Sequence, residues 1–287
     1  MEIENTMSSL PPILVADLFP KISRHLLELL RSLRLDEWNL PTLSSRRSVK
    51  DIASHLLDGS FRRLSIQRDG YRPPDGQLRP GEPLTSLLNR LNDEWEIGTR
   101  RLSPRVLIEL LEGADCELAQ LFQTLDPFGP ALFPVAWLGE EESCHWTDMA
   151  REYTEKWHHT QQIFDATGRT STILTKELGH PCLDIFMRAL PFTYRDVDAP
   201  EGTVVEVRVS GDAGGSWFIE RRADRWLQMI YSVQSPAAIV EMDQDTAWRM
   251  LTKRRARETI RRQFPEIRIS GDEELGAHAL DMVSVMA

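Results

Sequence analysis

A glutamate and a histidine four residues apart, Glu155 and His159, form the most informative chemical pattern in this 287-residue sequence. Both lie in the run 152–162, which has a helical pattern. Residues four apart on a helix lie one turn apart on the same face. A carboxylate and an imidazole in this arrangement can both bind one divalent metal ion. Taken alone, such a pair is more often an ordinary polar pair on a helix surface.

The surroundings of this pair favour a functional role. Trp157 and Ile163 indicate that the helix is packed against other elements, so its polar side chains need partners or a function. His158 and His159 stand side by side, which is more histidine than a plain amphipathic surface usually carries.

A third histidine, His55, lies in the apolar run Ile52–Leu57 of an earlier predicted helix. A lone histidine in such a context is more often a structural core residue than a ligand. His55 becomes a third metal ligand only if the fold brings it opposite Glu155 and His159.

Hydrophobic periodicity predicts helices in the first half of the chain and strands after Pro200. The predicted helices span 13–33, 49–68 (with Ser48 as N-cap), 84–100, 104–125 and 146–166. The predicted later elements are strands at 203–209, 216–221 and 225–231, helical segments over 243–262, a strand at 267–270 and a helix at 273–282. This order predicts two domains, all-α and then α+β, over residues 1–175 and 195–287, with the boundary near 170–200.

The charge balance argues against nucleic acid as a partner. The chain has 34 Lys+Arg against 44 Asp+Glu and a net charge of −10, whereas nucleic-acid-binding proteins carry a basic patch. Two basic clusters, 46–47 and 253–257, are isolated and are expected on the surface.

Cysteine usage and the N-terminus predict a cytoplasmic protein with no membrane segment. The three cysteines, Cys116, Cys144 and Cys182, form no CxxC pair, which is typical of reduced thiols. The N-terminus lacks the apolar run of a secretory signal. The longest uncharged stretch, 127–139, is too short to cross a bilayer.

Two passages carry a family resemblance. Ser48–Ser60 resembles the second-helix motif of the DinB/YfiT-like metalloprotein superfamily, and more narrowly of the mycothiol-dependent maleylpyruvate isomerase family. Glu152–Gly168 resembles the ligand helix of that family. Three C-terminal passages resemble its second domain: 211–217, 245–249 and 282–286. The resemblance implies a DinB-like four-helix bundle followed by a smaller α+β, sterol-carrier-like domain.

The resemblance also implies a ligand set. A histidine, a glutamate and a histidine bind zinc in this family, with water in the fourth position, and they map onto His55, Glu155 and His159. Nickel or iron are alternative metals. Many members of the broader superfamily use three histidines instead. His158 stays open as an alternative ligand to His159, because it lies three residues from Glu155, and that geometry is also feasible.

An open site of this kind can activate a thiol, a water molecule or a carbonyl group. Cys116 and Cys182 lack basic neighbours, and Cys144 beside His145 is only a weak signal, so we expect an exogenous low-molecular-weight thiol such as mycothiol. The sequence therefore predicts a metal- and thiol-dependent transferase or isomerase acting on a small electrophile. We expect a small-molecule substrate and a monomer or homodimer.

Two other hypotheses stay open at this point. The metal could stabilise a non-catalytic binding module whose C-terminal domain holds an apolar ligand or a protein partner, or it could assist hydrolysis without a thiol.

Arg249 is most simply a surface or interdomain residue, but its bidentate geometry could bind a substrate carboxylate. Inserted-looking segments at 70–82 and 126–145 could reshape the pocket entrance. Trp38 lies in a loop that could cap this pocket, although a core position suits it better.

Overall fold

The chain divides into two compact units. This computed structural model describes residues 10–44, 46–71, 84–132, 143–252 and 255–282, with only the backbone at 84, 85 and 88. The helical unit comprises Val15–Leu132 and Lys156–Ile173, and the mixed unit comprises Met1–Leu14, Phe133–Glu155 and Leu174–Ala287. The division passes through one continuous helix, so Glu155 is assigned to the mixed unit although it shares a helix with His159.

The first half of the chain is helical, as the periodicity predicts. The helices are α1 (Phe19–Arg31), α2 (Val49–Arg63), α3 (Leu84–Thr99), α4 (Pro104–Thr124) and α5 (His145–Ala166). Short 3₁₀ turns occupy Ala16–Leu18 and Glu37–Asn39, and a π-helical turn, Leu64–Arg68, extends α2.

Local capping explains where α2 and α4 begin. The Asp51 backbone N–H donates to Ser48 Oγ at 3.3 Å, and the Ser48 backbone N–H donates to Asp51 Oδ2 at 2.9 Å. This reciprocal capping box confirms Ser48 as the N-cap of α2. Ser103 caps α4 with one hydrogen bond, which its Oγ accepts from the Val106 N–H at 3.3 Å, and Pro104 lies in the first turn, where its missing N–H costs nothing.

The core of the helical unit contains a buried ion pair. Lys156 and Asp115 are each 4% exposed, and the Lys156 ammonium donates to Asp115 Oδ2. Ser60 Oγ donates to Asp115 Oδ1 at 2.9 Å, and Lys156 also donates to Ser23 Oγ at 3.2 Å. Because both charges are out of water, neither is stable without the other. This network ties α1, α2, α4 and α5 together.

The mixed unit contains a five-stranded sheet. The strands are β1 (Val204–Ser210), β2 (Gly215–Arg222), β3 (Arg225–Met229), β4 (Ala238–Asp243) and β5 (Arg268–Gly271). The helices of this region are α6 (Gly179–Met187), α7 (Leu190–Thr193), α8 (Gln244–Leu251), α9 (Arg257–Gln263) and α10 (Glu273–Ala277). A 3₁₀ turn, His278–Asp281, follows α10.

The sheet is mixed, with strand order β3-β2-β1-β4-β5. The central strand β1 pairs antiparallel with β2 and parallel with β4, so that Val207 lies opposite Trp217 on one side and Val240 on the other. The β2–β3 and β4–β5 pairs are antiparallel. A helical region followed by a mixed sheet with helices confirms the predicted fold class, all-α and then α+β.

Three elements were not predicted. No strand was expected at β4, although Ala238, Val240 and Met242 alternate as buried residues there. The region 170–200 was expected to be a domain boundary, whereas it contains the helices α6 and α7. Pro181 lies in the first turn of α6, where proline is tolerated.

Several predicted elements differ in extent. The helical segments predicted over 243–262 are α8, which ends at Leu251, and α9, which begins at Arg257. The last predicted helix, 273–282, is α10 followed by a 3₁₀ turn. Most of the segment 70–82, the middle of 126–145 and the basic pair 253–254 lie outside the described residues. No helix in the described ranges combines the length and the apolar character that crossing a bilayer requires.

The ion pair of the buried carboxylate of Glu37 with Arg169, in the helical unit, should make stability depend on pH. Glu37 accepts hydrogen bonds from the Arg169 guanidinium at 2.9 and 3.0 Å and from the Arg34 backbone N–H at 2.7 Å. The Arg169 hydrogen bonds, followed by the Arg34 N–H, lower the pKa of Glu37 from 4.5 to about 2. A carboxylate with a lowered pKa stabilises the fold above its unfolded-state pKa, and this stabilisation is lost as pH falls through the folded-state value.

We therefore expect Glu37→Gln to lower the urea midpoint at neutral pH. The difference between wild type and variant should shrink as pH falls from 4.5 towards 2. Urea unfolding across this pH range measures the effect. The exposed residue Asp36 provides the control, because Asp36→Asn should change the midpoint little. A Glu37→Gln difference that is independent of pH would contradict this account.

Candidate metal centre

Helix α5 positions Glu155 and His159 on one face. Trp157 is fully buried and its indole N–H donates to the Ile173 carbonyl at 3.1 Å. Tyr153 is also fully buried, and its hydroxyl donates to the Leu178 carbonyl at 2.8 Å. Each aromatic anchor fixes the rotation of its part of α5, so the direction in which the Glu155 and His159 side chains point is set by packing.

Helix α2 supplies His55. The capped N-terminus fixes where α2 starts, and Ile52, Ala53 and Leu56 are buried in the core around it. His55 itself is half-buried. Its ring meets the His159 ring edge to face, with the centroids 4.9 Å apart and the planes at 81°. Packing of the helical unit thus brings two histidines 104 residues apart in sequence into contact.

His55, Glu155 and His159 form one cluster of donor atoms. One nitrogen or carboxylate oxygen from each residue lies within 4.8 Å of those of the other two. Ligands bonded at about 2.1 Å to a tetrahedral zinc ion lie about 3.4 Å apart, so small side-chain rotations would close this cluster around a metal. Two imidazoles and one carboxylate are suitable donors for zinc, nickel or iron.

His158 lies on the same helix and contacts a different atom of Gln162. It is 1% exposed, and its Nε2 lies 2.8 Å from the carboxamide nitrogen of Gln162. Among the described residues, His159 and not His158 joins the donor cluster. The Gln162 carboxamide oxygen lies 2.9 Å from His159 Nδ1. One glutamine side chain therefore contacts both adjacent histidines.

Gln162 was missed in the sequence analysis although a signal was available. It follows His158 by four residues and His159 by three, which is the spacing at which helical side chains meet.

The structure places Arg249 on α8, in the mixed unit. Its Nε donates to Asp245 Oδ2 at 2.9 Å. The guanidinium carbon Cζ lies over the Trp248 ring, 4.6 Å from the ring centroid. The Trp248 indole N–H donates to the other oxygen of Asp245 at 2.9 Å. These contacts fix the orientation of Arg249 on its helix, and its role in substrate binding stays a prediction.

The three cysteines differ in exposure. Cys116 is exposed, Cys144 is half-buried and Cys182 is buried. Burial raises the pKa of the Cys182 thiol well above its ordinary value, which suppresses the reactive thiolate. Cys182 is therefore an inert core residue.

Three further histidines and Trp38 have structural contacts. His25 bonds Thr172 at 2.8 Å, His180 contacts the Gly214 carbonyl at 3.0 Å, and His278 bonds Arg257 at 2.8 Å. Trp38 is buried in its 3₁₀ turn, as a core residue would be.

Comparison with solved structures shows that this fold is similar to that of a known enzyme. The fold, a helical region followed by a mixed sheet, resembles the crystal structures of the mycothiol-dependent maleylpyruvate isomerase and of a histidine-to-alanine mutant of that enzyme. Each match has a TM-score of 0.51 and 12% sequence identity, and covers 82% of this chain and 86% of the other. No family model matches the chain, and no curated protein sequence matches it. At this identity the likeness shows a shared fold.

Proposed function

We propose that this chain binds one divalent metal ion through His55, Glu155 and His159 and uses it, together with a low-molecular-weight thiol, in a transferase or isomerase reaction on a small electrophile. The observation that carries the proposal is the convergence of these three side chains from α2 and α5. Three protein ligands of this type leave a coordination position for a thiol or a substrate, the pattern of catalytic rather than structural zinc sites.

The proposal extends to the architecture. We propose that α1, α2, α4 and α5 form a DinB-like four-helix bundle within residues 1–175, and that residues 195–287 form a sterol-carrier-like domain. The support is the buried network that joins these four helices and the likeness to the isomerase structures. Zinc is the first choice of metal because of the mixed nitrogen and oxygen donors, with nickel and iron as alternatives.

The thiol is proposed to be exogenous, with mycothiol as the first candidate. The structurally similar enzyme is named as mycothiol-dependent, and Cys182 is buried with a raised thiol pKa. When bound at the cluster, a divalent metal would supply positive charge that lowers the pKa of a coordinating thiol. His55 and His159 would hold the site as neutral donors, while the Glu155 carboxylate would limit its net charge to about +1.

Arg249 is proposed to bind a carboxylate of the substrate. Its bidentate fork is suited to this group, and its contacts with Asp245 and Trp248 pre-orient the guanidinium. We expect Arg249→Lys to raise KM for a carboxylate-bearing substrate about tenfold or more, because lysine cannot reproduce the bidentate contact. Steady-state kinetics measure the change, with Arg261→Lys, an exposed residue paired with Glu273, as the control. An unchanged KM for such a substrate would contradict this role.

A non-catalytic module that holds an apolar ligand in its C-terminal part receives less support. A cavity of about 610 Å³ in the mixed unit is lined in part by the carboxylates of Asp196, Asp198, Asp272 and Glu274. Carboxylates are unfavourable partners for apolar groups. The chemistry of this cavity therefore does not suit an apolar ligand.

Cobalt substitution tests the proposed function without knowledge of the substrate. The full chain, loaded with Co²⁺, should develop a thiolate-to-cobalt charge-transfer band when mycothiol is added and none with S-methyl mycothiol. The same protein should accelerate the reaction of mycothiol with an activated aryl chloride. Absence of the band, or turnover of a hydrolysable substrate that persists when every thiol is omitted, would contradict the thiol-dependent function and favour metal-assisted hydrolysis.

A further inference from the structure

The carboxamide of Gln162 lies between two buried histidines and contacts both. Its oxygen is 2.9 Å from His159 Nδ1, and its nitrogen is 2.8 Å from His158 Nε2. Gln162 is 1% exposed, so water cannot easily replace either contact. Buried amide groups need their hydrogen bonds, because an unmade one leaves a polar group away from water without a partner.

The chemistry of the carboxamide fixes where the ring hydrogens lie. The carboxamide oxygen only accepts hydrogen bonds, and its nitrogen only donates them. His159 must therefore carry its hydrogen on Nδ1, and His158 must accept at Nε2. In this tautomer, Nε2 of His159 carries the lone pair that a metal ion requires.

The opposite orientation of the amide would be incompatible with metal binding. If the carboxamide were rotated by 180°, its nitrogen would donate to His159 Nδ1 and leave the hydrogen of a neutral ring on Nε2. In the rotated orientation, His158 would carry its hydrogen on Nε2 and donate to the carboxamide oxygen, so each orientation of the amide goes with one pair of histidine tautomers. The hydrogen bonds from His158 through Gln162 to His159 therefore couple the two tautomers, and the orientation in this structure is the one that suits metal binding.

We propose that Gln162 is a positioning residue that sets the tautomer and ring orientation of His159 for metal binding, and that His158 contributes through its hydrogen bond to the Gln162 amide. This inference rests on the proposed metal site. It also assigns distinct roles to the two adjacent histidines: His159 binds the metal, and His158 acts through Gln162. Outer-sphere partners of this kind typically contribute about 10–100-fold to metal affinity.

Histidine ring NMR tests the inference on the metal-free protein. Long-range ¹H–¹⁵N spectra of the full chain, with ¹⁵N-labelled histidine, should show His159 as the Nδ1–H tautomer. Free histidine favours the Nε2–H form, so the Nδ1–H signal reports the hydrogen bond to Gln162. Gln162→Met should lose this signal, whereas Gln162→Glu should keep it because a carboxylate oxygen still accepts from Nδ1–H. A wild-type His159 in the Nε2–H form would overturn the inference.

Zinc affinity provides the second readout. We expect Gln162→Met to weaken zinc binding by about 10–100-fold and Gln162→Glu to restore most of it. The matched control is Gln161→Met: Gln161 is also buried, but its carboxamide accepts from Ser171 Oγ at 2.6 Å. This control should keep zinc affinity within about threefold of wild type, even if its stability falls.

The outcomes separate this inference from the proposed function. Wild type without zinc affinity but with the Nδ1–H tautomer would overturn the metal site and leave the tautomer assignment standing. Wild-type affinity in Gln162→Met, or an equal loss in Gln161→Met, would overturn the positioning role while the metal site stands. A loss in His158→Phe as large as that in His159→Ala would place His158 among the ligands and overturn the division of roles.

Discussion

Replacing Glu155 with glutamine is expected to lower zinc affinity by more than about 100-fold. The change removes the only anionic donor from the cluster of His55, Glu155 and His159. Loss of an outer-sphere partner costs about 10–100-fold, and loss of a direct ligand with its charge should cost more. Competition with a chromophoric chelator measures the affinity. The helix should stay folded, because glutamine has the shape of glutamate and a similar helix propensity.

The matched control is Glu152, three residues before Glu155 on the same helix. Glu152 is paired with Arg151 at 2.6 Å and is not part of the donor cluster. Glu152→Gln should therefore leave zinc affinity unchanged. Equal losses in the two variants would point to a general electrostatic effect of α5, and an unchanged affinity in Glu155→Gln would remove Glu155 from the site.

Replacing Asp115 with alanine should lower the free energy of unfolding by about 3–5 kcal/mol. The substitution leaves the buried Lys156 ammonium without its counter-charge and removes one of the two acceptors of Ser60 Oγ, the other being the Leu56 carbonyl. A domain is stable by only about 5–15 kcal/mol, so the loss is a large fraction of the total. Urea unfolding, followed by far-UV circular dichroism, measures the change.

Two further variants show whether the buried charge is responsible. Glu112→Ala on the same helix removes a half-exposed pair with Arg31 and should cost no more than about 1 kcal/mol. The double variant Asp115→Leu, Lys156→Met removes both charges and should recover most of the loss. A loss below about 1 kcal/mol in Asp115→Ala would contradict the buried pair.

The elements with local signals were predicted well from the sequence. The start of α2 follows from the Ser48–Asp51 capping box, and that of α4 from Ser103 and Pro104, all within a few residues of chain. The alternation of apolar residues in β1 is also a local signal: Val205, Val207 and Val209 are buried, although Val204 and Glu206 on the other face are buried as well.

The elements that depend on distant partners were missed. The place of β4 beside β1 is set by pairing with residues about 33 positions earlier, such as Val207 with Val240. Helix α6 contains a glycine and a proline that locally favour a loop, and its apolar face, including Leu183 and Phe186, is stabilised by burial. In α6, tertiary packing overrides local propensity.

The site was only partly predictable for the same reason. Spacing alone places Glu155 and His159 on one helix face, but nothing local relates His55 to them. The expectation for His55 depended on the family resemblance, and packing of α2 against its neighbours is what brings the ring 4.9 Å from that of His159. The role of Gln162 could not be predicted without knowing which histidine atoms its carboxamide contacts.

The most direct test of the central claim is the stoichiometry and coordination of zinc in the full chain, purified without a metal-affinity tag and reconstituted. The account predicts one zinc ion per chain, and X-ray absorption should show two imidazoles with oxygen donors. His55→Ala should reduce both the zinc content and the imidazole contribution. No bound zinc after reconstitution, or a site dominated by sulfur ligands from the chain itself, would contradict the account.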